Sequence, residues 1–281
     1  MRELKPILID KYILAALRED ATSGDITTDA ILRDERAEVN LIAKDKGILA
    51  GLDVFKRVFK ILDDGVTFEF YFSDGDQVNN KDLIGKISGS AKSILEGERT
   101  ALNFLQRMSG IATYTKKMVD TLDSDHVKIL DTRKTTPNMR VFEKYAVTLG
   151  GGYNHRYNLS DGIMLKDNHI DAAGGITSAV EQVRTLNPFV KKIEVEVENF
   201  DQVREALEAK ADIIMLDNMD IEEIKEACKI INKKAIIECS GNIKLENINS
   251  YRDLDIDYIS SGAITYGAGV LDLSMKNLKI Y

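Results

Sequence analysis

Ile193-Glu194-Val195-Glu196-Val197-Glu198 alternates strictly between apolar and acidic residues. That is the period of a β-strand, whose successive side chains point to opposite faces. The isoleucine and valines suit a face packed against helices. Glu194 and Glu196 then point into a sheet that has closed on itself. A buried carboxylate without a partner is expensive, so such an interior demands cations, donors or a wet cavity.

Three more apolar runs end in the same way. Gly162-Ile163-Met164-Leu165 leads to Lys166-Asp167-Asn168-His169, Ile213-Ile214-Met215-Leu216 to Asp217-Asn218, and Ile236-Ile237 to Glu238-Cys239-Ser240-Gly241. One such ending is an ordinary polar exit from a strand. Four in succession, mixing Lys with carboxylates, point to a site. Strands are predicted at 128–131, 162–166, 192–197, 212–217, 235–239 and 257–261, with helical patterns at 175–186, 200–209, 221–231 and 245–251. This rhythm predicts an α/β fold with a parallel sheet. A spacing of about 20 residues between the later strands suits a closed α/β barrel, whose active site lies at the C-terminal ends of its strands. A doubly wound open sheet is the alternative, with its ligand at a topological switch point.

The first part of the chain reads differently. An amphipathic helix is predicted over 6–19 and strands over 37–44 and 66–72, with Asp74-Gly75-Asp76 as a turn. This is a small open sheet with helices. A long helical pattern follows over 97–122; Gly110 inside it marks either a close contact or a break. The boundary is placed at 110, giving domains 1–110 and 111–281, with the last C-terminal segment a candidate to return to the first.

The chain of 281 residues is long enough to bury a core without staples. Its net charge of −8 disfavours a nucleic-acid surface. No apolar run approaches a membrane span. Cys228 and Cys239 are too few for a disulfide framework and lack metal-ligand spacing. The opening Met1-Arg2-Glu3-Leu4-Lys5-Pro6 has no apolar signal core, so a reducing, cytoplasmic setting is expected.

Positive charge gathers in one region all the same. Between residues 131 and 169 stand six Lys or Arg (133, 134, 140, 144, 156, 166) against four acids. Arg forks match carboxylates and Lys supplies a point charge for phosphates. Gly150-Gly151-Gly152 and Asn154-His155-Arg156 lie here too. Alone, Arg133-Lys134 reads as a solvated loop pair and His155 as a core histidine. Ser240-Gly241-Asn242 and Ser260-Ser261-Gly262-Ala263 close the last two strands, where barrel loops often cradle a phosphate; plain turn chemistry is the alternative for either loop.

Together these residues resemble the quinolinate phosphoribosyltransferase family over nearly the whole chain. The resemblance runs through Ser23-Gly24-Asp25-Ile26-Thr27-Thr28, Gly97-Glu98-Arg99-Thr100-Ala101-Leu102-Asn103, Ser109-Gly110-Ile111-Ala112-Thr113, Asp131-Thr132-Arg133-Lys134-Thr135 and Lys144-Tyr145-Ala146-Val147. It continues through Gly150-Gly151-Gly152, Asn154-His155-Arg156, Lys166-Asp167-Asn168-His169, Glu194-Val195-Glu196, Leu216-Asp217-Asn218 and Ser240-Gly241. Thr136 and Asn242 vary without removing an expected charge.

The resemblance implies a C-terminal α/β barrel with a smaller N-terminal α/β sandwich domain. It implies transfer of the phosphoribosyl group of 5-phosphoribosyl-1-pyrophosphate to quinolinate with decarboxylation, giving nicotinate mononucleotide, pyrophosphate and CO2 in NAD biosynthesis. It also implies Mg2+ and a homodimer or larger assembly in which Arg99 reaches the neighbour's site. Transferred by motif, Thr132, Arg133, Lys134, His155, Arg156 and Lys166 bind substrate. Glu196 and Asp217 meet the ribose and the metal, directly or through water, and Ser240, Gly241, Asn242, Ser261, Gly262 and Ala263 hold the 5-phosphate. Glu196, Asp217, Lys134 and Lys166 are the expected catalytic groups. Three rivals remain open on the residues alone: a relative handling another pyridine- or pterin-like compound, a non-catalytic sensor of a phosphorylated ligand, and a Schiff-base aldolase using Lys166.

Overall fold

The computed structural model describes residues 4–189 and 192–281; the charged start Met1-Arg2-Glu3 lies outside them. The chain forms two compact units, one made of 1–116, 135–151 and 265–281, the other of 117–134 and 152–264.

The elements begin with α1 (Pro6–Asp20), α2 (Ile26–Ile31), β1 (Arg36–Ala43), β2 (Gly47–Ile48) and α3 (Leu52–Leu62). Next come β3 (Thr67–Phe70), β4 (Gln77–Val78), β5 (Leu83–Ser90), α4 (Ala91–Leu122), β6 (Lys128–Leu130) and α5 (Arg140–Leu149). Then follow β7 (Ile163–Leu165), α6 (Asp167–Ala173), α7 (Ile176–Leu186), β8 (Ile193–Val197), α8 (Phe200–Glu208) and β9 (Ile213–Asp217). The chain ends with α9 (Ile221–Ile231), β10 (Ile236–Ser240), β11 (Tyr258–Ser260), α10 (Ala263–Tyr266) and β12 (Leu273–Ile280). The helical pattern at 245–251 shortens to one 3-10 turn, Ile248–Tyr251. Among the described residues no helix is long and apolar enough to cross a membrane.

In the first unit an antiparallel sheet runs β12-β1-β5-β3, with Ala37 of β1 opposite Ile280 of β12. The last strand thus pairs with the first. Helix α3 buries Leu52, Val54, Phe55, Val58 and Phe59, and Phe55 and Phe59 meet edge to face. Asp74 does more than make a turn. Its Oδ1 accepts the backbone N–H of Gly51 and Leu52 at the start of α3, and its Oδ2 accepts the Tyr145 hydroxyl at 2.9 Å. Burial nevertheless pushes the Asp74 carboxyl above its ordinary value.

Helix α4 passes through Gly110 unbroken, so of the two sequence readings the close contact is the one found. A Cβ built there would stand 2.1 Å from the carbonyl oxygen of Gly269. Gly110→Ala should lower stability by about 1–3 kcal/mol, because backbone, unlike a side-chain tip, cannot step aside cheaply. Urea unfolding checks this; an unchanged midpoint would mean that the segment around 269 yields freely.

The second unit is a six-stranded parallel sheet ordered β6-β11-β10-β9-β8-β7. From β7 to β11 neighbours follow chain order, and β6 then lies beside β11. A doubly wound sheet would reverse order in its middle. Beyond β6, Tyr153 bridges to Leu130, donating its N–H to Ile129 O at 2.8 Å and accepting from Asp131 N at 3.0 Å. This is the strand order of an α/β barrel. Its helices start on local signals: Asp220 and Glu223 form a capping box on α9, and Asn199 caps α8.

Candidate active site

Among the described residues, cavities open at both ends of this barrel. One, of about 320 Å³, lies at the C-terminal ends of the strands. Thr132, Arg133 and Lys134 line it from the loop after β6, with His155, Arg156, Met164, Lys166, Met215, Ser240 and Ser260. The other, of about 410 Å³, opens at the strand starts, where Lys128, Lys192, Ile213 and Tyr258 line it; its deeper wall holds Glu194 and Glu238. His155 and Arg156 line both. A larger cavity of about 790 Å³, with His126, Lys210, Lys233 and Lys234 on its wall, borders the residues before β9, β10 and β11 and touches none of the expected site residues.

The segment that carries His155 and Arg156 is pinned by Asp131, which is fully buried at the end of β6. Asp131 Oδ1 accepts the His155 N–H at 2.8 Å and Oδ2 the Asn154 side-chain amide at 2.6 Å. Arg156 donates to Gly162 O at 2.8 Å. Burial, and next the like charge of Arg133, hold the Arg156 guanidinium below its ordinary value, with Glu194 opposing. Crowding two guanidiniums is unfavourable until an anion enters between them. Thr132 Oγ1 accepts the Lys134 N–H at 3.0 Å and shapes the turn that presents this pair.

Lys166 sits at the exit of β7, and its Nζ is bound to Glu196 Oε2. Its N–H donates to His169 Nδ1 at 3.1 Å, so His169 secures the start of α6. Glu196 near the end of β8 and Asp217 at the end of β9 leave adjacent parallel strands, where Val197 pairs with Leu216. Asn218 donates to Asp217 Oδ2 at 2.6 Å and accepts from Asn242 at 3.3 Å. Gly241 has φ +100° and packs on Asn218 so closely that a Cβ would meet its Oδ1 at 2.4 Å. The loops after β9 and β10 therefore interlock through glycine.

Of the expected phosphate residues, Ser240 lines the upper hollow, and Ser260 stands there where Ser261 was expected. Ser261 is buried, its hydroxyl donating to Ile243 O at 2.6 Å and accepting from Ala263 N at 3.2 Å. Arg99 is exposed on α4, within the first unit.

The sequence marks both halves of the chain in the same way. Residues 25–109 match the family model for the quinolinate phosphoribosyl transferase N-terminal domain, and residues 111–276 the model for its C-terminal domain. The chain belongs to the quinolinate phosphoribosyltransferase family. A Bacillus subtilis relative, described as a probable carboxylating nicotinate-nucleotide pyrophosphorylase, is 43% identical over 257 residues, covering 92% of this chain and 89% of that protein. The crystal structure of NadC from Streptococcus pyogenes is similar over the full length of both chains, with 52% identity and a TM-score of 0.97. The nicotinate-nucleotide pyrophosphorylase of Francisella tularensis is 38% identical, covering 99% of this chain and 98% of that one, with a TM-score of 0.92.

Within this quinolinate phosphoribosyltransferase fold, sequence reasoning missed one participant. Glu238 read as a polar strand exit. It is 1% exposed, near Glu194 (4% exposed) and His155, and its Oε1 has no hydrogen-bond partner. Burial and then the Glu194 charge push its carboxyl up to about 7, with Ser260 and Lys166 opposing. Only its place one residue past an apolar pair, on an inward-facing position, hinted at this.

That shift has a stability consequence. Between about 4.5, the ordinary value, and about 7, the folded chain holds a proton that the unfolded chain has lost. Stability therefore falls as pH rises through this window, and the cost is complete above it. Glu238→Gln should remove about 3 kcal/mol of that fall. Urea unfolding at pH 5 and pH 8 measures it; a variant that keeps the full slope would place the proton elsewhere.

Proposed function

We infer that this chain catalyses the reaction of its family: the phosphoribosyl group of 5-phosphoribosyl-1-pyrophosphate passes to quinolinate, and nicotinate mononucleotide, pyrophosphate and CO2 are formed, a step of NAD biosynthesis. It is a pentosyltransferase. One observation carries the reading in this chain: Arg133 and Arg156 line one hollow together with Lys134 and Lys166. A planar dianion matches paired forks better than a sugar phosphate alone.

In this reading Arg133 and Arg156 clamp the two carboxylates, and Lys134 and Lys166 add point charge. The pyridine nitrogen attacks the anomeric carbon as its bond to pyrophosphate oxygen breaks. The sugar then passes through an oxocarbenium-like state, and Glu196 with Asp217 offsets its positive charge. Once the nitrogen is quaternary, the adjacent carboxylate leaves as CO2. The electron pair of the broken C–C bond stays on that ring carbon, steadied by the neighbouring cationic nitrogen, and takes up a proton from water to give the product C–H. Neither step needs a covalent nucleophile, so the rate rests on positioning and electrostatics.

Glu196 and Asp217 are also the proposed Mg2+ ligands. They are oxygen donors leaving neighbouring strands, and Mg2+ commonly takes one or two carboxylates beside substrate phosphates, so the pair fits. The ion when bound would neutralise the leaving pyrophosphate. The Ser240 and Ser260 loops are proposed to hold the 5-phosphate, in a cytoplasmic enzyme.

The direct test mixes the protein with quinolinate, phosphoribosyl pyrophosphate and Mg2+ and follows CO2 and nicotinate mononucleotide. No turnover would overturn the assignment. We also propose a homodimer in which Arg99 completes the neighbour's site. Mixing inactive Arg99→Ala with inactive Lys166→Ala should then restore about a quarter of full activity, since hybrid dimers at equal mixing are half the population and carry one intact site of two. No recovery despite confirmed subunit exchange would refute that assembly.

A further inference from the structure

The ring of His155 has both nitrogens engaged by the protein. The backbone N–H of Arg156 donates to its Nδ1 at 2.7 Å. A donor needs a lone pair there, so Nδ1 carries no proton and the ring proton sits on Nε2. Nε2 stands 3.2 Å from Oε2 and 3.4 Å from Oε1 of Glu194, with Oε2 of Glu238 at 3.6 Å. Its proton therefore goes to Glu194. An imidazolium would set a second N–H against that of Arg156.

The same three side chains have donor atoms within 4.8 Å of one another, a spacing a divalent ion could use. The hydrogen bond at Nδ1 argues against one. A neutral histidine ligating through Nε2 carries its proton on Nδ1, where the Arg156 N–H already points.

We propose that Glu194 and Glu238 are positioning residues for the quinolinate end of the site: they hold His155 as the neutral Nε2–H imidazole, which accepts the Arg156 N–H and so sets the aim of the Arg156 guanidinium. The inference rests on the reading of the basic hollow given above. Its consequence is a count of charges. The dianion meets cations from arginine and lysine, and His155 contributes a neutral ring. Glu238, buried behind Glu194, closes the cluster from β10 and leaves Glu194 the nearer acceptor.

Nitrogen-15 NMR of the whole protein at pH 7.5 tests this. The chain has three histidines, so His155→Gln assigns the ring by difference. The expected spectrum has a pyridine-type Nδ1 and a pyrrole-type Nε2. Glu194→Leu removes the acceptor and should raise the quinolinate KM by about 10–100-fold, with the phosphoribosyl pyrophosphate KM within about twofold. Glu194→Gln keeps an acceptor oxygen and should recover most of that loss. A ring protonated at Nδ1 or at both nitrogens overturns the proposal, and so do equal effects of the two variants on both substrates. Shifts of Nε2 on adding Mn2+ or Zn2+ would also overturn it, in favour of a metal site. If Glu194→Leu does not fold, the wild-type spectrum still decides. Failure of the reaction itself is seen separately, as absence of wild-type turnover.

Discussion

Arg133→Ala should raise the KM for quinolinate by about 100-fold or more and leave the fold intact. Each charge-assisted hydrogen bond contributes about 1.5–3 kcal/mol, and a fork makes two of them to one carboxylate. Arg133 follows the end of β6, in a turn set by Thr132 Oγ1 and the Lys134 N–H. Arg133→Lys restores charge without the fork and should fall between the two. Steady-state kinetics with phosphoribosyl pyrophosphate saturating reads the effect, and circular dichroism checks the fold. An Arg133→Ala enzyme with unchanged quinolinate KM would move the dianion out of this hollow. One further sign is fixed by the structure: removing Arg133 takes away a like charge that depresses Arg156, so the Arg156 pKa should move upward.

Glu196→Gln should lower kcat by about 100–1,000-fold, with a much smaller change in either KM. The amide keeps the shape of the carboxylate and removes its charge. In the free protein that charge meets the Lys166 ammonium. The expected loss is larger in the transition state than in the ground state, because positive charge on the sugar develops only there. A variant with altered KM and wild-type kcat would make Glu196 a binding group only. The pair also predicts asymmetry. Lys166→Ala should weaken quinolinate binding, whereas Glu196→Gln should spare it, although the two side chains touch.

Much of the barrel is legible in the amino-acid sequence. The six strands of the second unit fall within a residue or two of the predicted ones. Short apolar runs and capping signals are local, and burial on both sides of a parallel strand enforces them. In the first unit, α3 and β5 are not legible in this way. Helix α3 carries a strong apolar face, but Gly51 precedes it with a left-handed backbone at φ +106° in place of a cap side chain, so no start signal announces it. Strand β5 contains Gly85 and Gly89, which weaken its strand signature. A Cβ on Gly85 would meet the Glu69 carbonyl at 2.5 Å, a requirement visible only from the neighbouring strand.

The sequence alone determined the two-part α/β organisation, the acid-lined strand ends, the basic segment from 131 to 169 and, by resemblance, the family. These are properties of residues near one another along the chain. Tertiary structure decided that Gly110 is a contact, that Ser260 faces the hollow while Ser261 ties the loop, and that Glu238 joins His155 and Glu194. His155 and Glu194 are 39 residues apart. Only the closing of β8 and β10 around β9 brings both acids to one imidazole, and only removal from water raises the cost of their charges. Desolvation belongs to the folded interior as a whole, and no stretch of sequence carries it.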